Sequence, residues 1–165
     1  MASTVESLIR GVVTKGVTAI ADFNRDRLKA GDTNPYLSGI HTPMAAELTL
    51  DALPVTGSIP AELDGRYIRI GPNPIGQANH ASYHWFTGDG MVHGVRLMGG
   101  KALWYRNRWI RSNAVSDALG EPRAPGPRAL RDMVNTNVLG HAGATWAVVE
   151  AGGYPVRIDE ELNTI

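Results

Sequence analysis

Beyond Gly57, glycine and proline recur at short intervals and leave apolar runs too short for stable helices. This punctuation restricts the chain to many short strands joined by turns. Glycine supplies the positive φ that tight turns need, and proline removes a ladder donor wherever it falls. Tyr67-Ile68-Arg69-Ile70 reads as a strand that stops at Gly71-Pro72-Asn73-Pro74. Ser82–Thr87 and Met91–Leu97 flank Gly88-Asp89-Gly90, and Asp-Gly between apolar runs predicts a hairpin. Ala102–Ser112 reads as a further strand, with Leu103, Tyr105 and Trp109 on one face and Arg106 and Arg108 on the other. The Gly- and Pro-rich residues 113–133 read as a long loop. Asn137–Leu139 and Thr145–Glu150 predict a second hairpin around His141-Ala142-Gly143, and Val156–Ile158 starts one more strand before a turn at Asp159–Leu162. With 19 Gly and 10 Pro in 165 residues, the composition agrees with a barrel, a sandwich or propeller blades. Asn163-Thr164-Ile165 stands where a partner strand should begin, so the chain reads as a blade cut short.

The first residues differ in period. Val5, Leu8, Ile9, Val12, Val13, Val17 and Ile20 recur at helical spacing, and Ser3 with Glu6 forms a capping-box pattern. This amphipathic helix docks on the protein body or lies at a membrane surface with Arg10 and Lys15 toward head groups. No run reaches the ~18 apolar residues of a membrane span, and Met1–Glu6 does not read as a secretory signal. Sixteen Lys plus Arg balance sixteen Asp plus Glu, which excludes an electrostatic case for nucleic acid. The absence of Cys excludes disulfide scaffolds, thiolate metal sites and Cys nucleophiles.

Chemistry-bearing residues are few. His80 and His84 lie on one face if their stretch is a strand, and a two-residue turn at Asp89-Gly90 would make His84 and His93 diagonal neighbours. No third metal ligand is evident from the spacing, so the histidines read as structural. Glu150 follows the apolar strand Trp146-Ala147-Val148-Val149, which predicts partial burial and a donor partner such as a histidine N–H.

Several ordered blocks resemble the carotenoid cleavage oxygenases. They are Gly57-Ser58-Ile59-Pro60 and Leu63-Asp64-Gly65, followed by Tyr67 to Pro74. Next come His84-Trp85-Phe86-Thr87-Gly88-Asp89-Gly90-Met91-Val92-His93-Gly94 and Tyr105-Arg106-Asn107-Arg108-Trp109-Ile110-Arg111. Asn135-Thr136-Asn137-Val138, His141-Ala142-Gly143 and Ala147-Val148-Val149-Glu150-Ala151-Gly152 complete the run. The resemblance implies a mainly β chain, the N-terminal portion of a seven-bladed β-propeller. Helical spacing, the turn-rich stretch after it and the change at Gly57 divide the sequence into an N-terminal helix region at 1–30, an extended crossing segment at 31–56 and strands at 57–165, which the resemblance makes the first propeller strands.

The resemblance also implies Fe(II) held by four histidines, with O2 as co-substrate cleaving a conjugated double bond of a hydrophobic polyene to carbonyl products. None of the five histidines here matches a ligand position, so the chain alone is expected to be inactive. Glu150 matches a glutamate that accepts a hydrogen bond from an iron-bound histidine. Phe86, Trp109 and Val149 match substrate-tunnel positions. Ile70 and Thr87 depart from the family's usual Asn and Asp. Stilbene-cleaving relatives tend to carry Lys just before the glutamate, so Val149 favours a carotenoid or apocarotenoid. A non-catalytic propeller-derived binding module and a stilbene-cleaving enzyme are the alternatives. The expected location is cytoplasmic, with residues 5–20 as the point of any peripheral membrane contact.

Overall fold

The computed structural model describes residues 34–165 together with Val13, Lys15, Gly16, Ala19, Ile20 and Phe23. Those six are helical and exposed, whereas Val5, Leu8, Ile9, Val12, Val17 and the Ser3–Glu6 cap lie outside the described residues.

Seven strands form two antiparallel sheets. β1 (Thr49–Asp51), β2 (Gly65–Pro72), β3 (Gly90–Met98) and β4 (Lys101–Trp109) make the first, in the order β1-β4-β3-β2. β5 (Asn137–His141), β6 (Ala144–Val148) and β7 (Val156–Ile158) make the second, in sequence order. Thr164 adds a bridge to Ile158 at the edge of the second sheet. β1 comes from the stretch read as a crossing segment and pairs Thr49 with Arg106 and Leu50 with Tyr105.

Alternation places the core. On β2, Arg66, Ile68 and Ile70 are half-buried while Tyr67 and Arg69 are exposed, the period-two signature of a strand with one covered face. β3 is central and uses both faces. Val92 joins Ile110, Val134, Ala147, Val156, Ile158 and Leu162 in the cluster that joins the sheets. Met91 joins Trp109 and Val115 in a second cluster, covered by Met44 and Ile75.

The turns divide into expected and unexpected ones. His141 pairs with Ala144 across Ala142 (φ 50°) and Gly143 (φ 72°), so the second predicted hairpin forms with two left-handed residues at its tip. The first does not form at Gly88-Asp89-Gly90. Ser82–Thr87 contains no strand, only a 3₁₀ turn at Trp85–Thr87 capped by His84, and β3 pairs instead with β2 and β4. The hairpin lies one strand later, at Gly99-Gly100 between Met98 and Lys101.

The reason is close approach. A Cβ on Gly90 would lie 1.7 Å from the Val134 carbonyl oxygen, and one on Gly88 would lie 2.4 Å from the Tyr83 hydroxyl. These glycines let one segment cross another and turn no corner. The long loop expected at 113–133 also begins with a helix, Asn113–Leu119. Ser112 Oγ caps it by accepting from the Val115 N–H, and Gly120 ends it in the left-handed conformation.

Candidate functional site

One end of the two sheets carries the loops that bear Phe86 and Glu150. Pro72 ends β2, Asn137 opens β5 and Val148 closes β6, so the loops beyond these points share a rim. A cleft of about 110 Å³ opens there, lined by Ile70, Gly71, Pro72, Trp85, Phe86, Asn135 and Thr136.

Glu150 sits just past β6 and is exposed, not partly buried as its apolar strand suggested. Its Oε2 accepts a hydrogen bond from Thr136 Oγ1 at 2.8 Å. The Thr136 hydroxyl also lies 3.1 Å from Asn135 Oδ1. It has one proton for two acceptors, and the nearer, charged oxygen is the stronger attractor. Among the described residues Glu150 Oε1 accepts no hydrogen bond, which leaves it open to another donor.

Phe86 is 63% exposed and stacks on His84 with ring centroids 5.5 Å apart. His84 in turn meets Tyr36 at 5.0 Å, and His41 meets Trp85 edge-on at 4.4 Å, so an aromatic group covers this rim. Trp109 does not join it. It is 5% exposed, and its Nε1 donates to the Asn73 carbonyl at 2.9 Å within the second core cluster. Val149 is half-buried against the first cluster. Thr136 therefore lines the cleft with Phe86 and bonds Glu150, while Trp109 and Val149 belong to the second and first core clusters.

Two residues here had no role assigned from the sequence: Thr136, which partners Glu150, and Asn135, which partners the Phe86 loop. The only signal was their place in the block Asn135-Thr136-Asn137-Val138.

The four-imidazole iron centre implied by the resemblance requires side chains that converge. The histidines of this chain do not fit it, and among the described residues no three His, Asp or Glu side chains gather at one point. His84 caps a 3₁₀ turn, and His93 Nδ1 lies 2.8 Å from the Tyr105 hydroxyl. His93 and His84 are thus not hairpin neighbours. Burial, with the nearby Arg69 charge, holds the His93 imidazole below its usual range and favours its neutral form. His41 closes the 3₁₀ turn Gly39–His41 and lines one cleft with His93, while His80 lies in a turn and His141 at a hairpin end.

Asp89 is held differently. Its Oδ2 accepts from the Ile75 N–H at 2.9 Å. Burial still pushes its carboxyl above the usual range, against that bond and with help from Asp132. Its bond to Ile75 fixes the loop after β2.

The sheet pairings and the ordered blocks agree with one family. The family described as Retinal pigment epithelial membrane protein matches residues 41–165, and the chain belongs to it, among the carotenoid oxygenases. A carotenoid cleavage oxygenase of Mycobacterium tuberculosis is 54% identical over 140 residues, covering 82% of this chain and 28% of that protein. The cobalt-substituted apocarotenoid oxygenase of Synechocystis superposes with a TM-score of 0.61 at 26% identity, over 74% of this chain and 29% of that one. The lignostilbene dioxygenase of Pseudomonas brassicacearum gives a TM-score of 0.63 at 24% identity over 83% of this chain and 31% of that one, a likeness of fold. The chain thus spans about 28% of the length of the Mycobacterium relative.

Among the described residues no helix is long and apolar enough to cross a membrane.

Proposed function

We propose that this chain is the N-terminal part of a non-haem Fe(II)-dependent dioxygenase that cleaves a conjugated double bond of a carotenoid or apocarotenoid with O2, giving carbonyl products. The carrying observation is that Thr136, which lines one cleft with Phe86, donates a hydrogen bond to Glu150. In this reading the two sheets are the first blades of a seven-bladed propeller. The four imidazole ligands belong to the rest of the longer protein, since the histidines here do not converge.

The residues of this chain then have definite tasks. Thr136 donates its proton to Glu150 Oε2 and fixes the carboxylate's rotamer. Glu150 Oε1 is left to accept the N–H of an imidazole carried by the remainder of the protein, which would set that ring's tautomer and orientation. Phe86 offers an apolar wall suited to a polyene, and the resemblance assigns Trp109 and Val149 to the same passage. Val149 brings no charge beside Glu150, which supports an apolar polyene over a phenolic stilbene. The expected location is cytoplasmic, with peripheral membrane contact through residues 5–20 and no nucleic-acid partner.

Iron analysis and oxygen uptake with an apocarotenoid test the reading. The complete protein should retain iron and consume oxygen, and residues 1–165 alone should do neither. Iron-dependent turnover by the short chain would overturn the division of labour. Absence of turnover in the complete protein would favour a binding module.

A further inference from the structure

This inference rests on the site just proposed and concerns the residue between its two walls. Asn135 is 4% exposed. Its Nδ2 donates to the Gly88 carbonyl at 2.8 Å and to the Phe86 carbonyl at 3.3 Å, which uses both amide hydrogens. Its Oδ1 faces the Thr136 hydroxyl. The next residue, Thr136, bonds Glu150. One dipeptide therefore ties the Phe86 turn to the Thr136–Glu150 pair, and Phe86, Asn135 and Thr136 line the same cleft.

The two sides differ in rigidity. On one, Val134 is buried in the first core cluster and Thr136 N–H donates to the Val148 carbonyl at 3.3 Å, so the segment is anchored. On the other, Phe86 belongs to a three-residue 3₁₀ turn with an exposed ring. The His84–Thr87 capping box fixes the shape of this turn from within, so contacts from outside fix its position. The contacts that tie Phe86 and Gly88 to the anchored segment are the two Asn135 hydrogen bonds.

We propose that Asn135 is a positioning residue that sets the spacing between the aromatic wall at Phe86 and the Thr136–Glu150 pair, and thereby the width of the passage offered to an apolar chain. The donors, not the volume, do this work. A carboxylate of the same shape cannot donate and would face two carbonyl oxygens.

The test uses the complete protein with Asn135→Asp and Asn135→Ala. Binding of an apocarotenoid is read by tryptophan fluorescence quenching, and kcat and KM by oxygen uptake. Both variants should raise Kd and KM about tenfold, the order expected for losing one amide's hydrogen bonds, with kcat changed less than about twofold. Asn135→Asp carries the test if the alanine variant does not fold. A lower kcat or Tm with unchanged KM and Kd would mark Asn135 as structural and overturn the proposal. If the unsubstituted protein binds the polyene without cleaving it, the catalytic reading fails and the Kd comparison alone decides. Weaker binding in Asn135→Asp then upholds the positioning role, and equal binding ends it. No polyene binding by the unsubstituted protein would overturn both.

Discussion

Leu162 fills the space that Gly94 leaves open: a Cβ on Gly94 would come within 2.9 Å of Leu162 Cδ1. Leu162 is fully buried although it belongs to a turn, and it adopts a left-handed φ of 71°. Asp159 holds that turn, its Oδ1 accepting from the amides of Glu161 at 2.9 Å and Asn163 at 2.7 Å. The same turn aims Glu160 at Arg66 and Glu161 at Arg106, each pair 3.2 Å apart. A leucine knob with flanking ion pairs thus locks the second sheet onto the first. The knob contributes most of the stability, because ion pairs with exposed carboxylates contribute little.

Leu162→Ala should therefore lower unfolding free energy by about 3 kcal/mol, within the range for buried leucines. Gly94→Ala should also destabilise, since its strand is central and cannot retreat. The double variant should lose less than the sum, because removing Leu162 makes room for the new methyl. Urea denaturation of the three variants measures this, and strict additivity would separate the two residues.

Glu150→Gln should leave folding nearly unchanged, since a glutamine oxygen can still accept from Thr136 and the residue is exposed. In the complete protein it should reduce iron retention or turnover by about 10–100-fold, as for other partners of metal-bound histidines. Metal analysis and oxygen uptake provide the readout. Unchanged iron content and rate would remove Glu150 from the site.

Asp89→Asn should stabilise the protein at neutral pH and not in acid. Burial holds the folded carboxyl above its ordinary value of 3.8, so the folded state keeps its proton to higher pH than the unfolded chain does. The favourable contribution is complete below the unfolded value and is lost as pH rises through the folded one. Asparagine keeps an acceptor for the Ile75 N–H and removes the charge. Thermal melts should show the variant melting higher at pH 7, by about 2–4 °C per kcal/mol gained, and the two curves should converge toward pH 3. A constant gap across that range would contradict the assignment.

Ala142→Asn should raise Tm. Ala142 holds φ 50° at the tip of the β5–β6 hairpin, where alanine is strained and asparagine is accepted more readily. The gain should be about 1 kcal/mol, the order of the alanine penalty, read by differential scanning calorimetry. An unchanged or lowered Tm would show that the turn relaxes around alanine.

Local chemistry made much of the second sheet legible. Asn137 to Ile158 forms strands and turns as its residues suggest, and Ala142-Gly143 lies between strands that pair directly. The first sheet was harder to read. Asp89-Gly90 carries a hairpin signal, yet Gly90 serves the crossing of Val134 and Gly88 the approach of Tyr83 and Pro72, contacts no neighbouring residue announces. Gly99-Gly100, an equally available signal, is the actual turn. The Asn113–Leu119 helix was hidden by the prolines after it, although Ser112 and Gly120 mark its two ends.

The candidate site divides in the same way. Glu150 and Phe86 were visible as members of ordered blocks, and their partners Thr136 and Asn135 stood unassigned in another block. Strand character, turn chemistry and family membership reside in the sequence because each depends on residues close together or on ordered motifs. Which strands pair, that β1 joins at β4, and that Phe86 is held near Thr136 were decided by the tertiary structure. Pairing of distant segments is selected by the summed burial and hydrogen bonding of the whole, and each local segment is compatible with several partners.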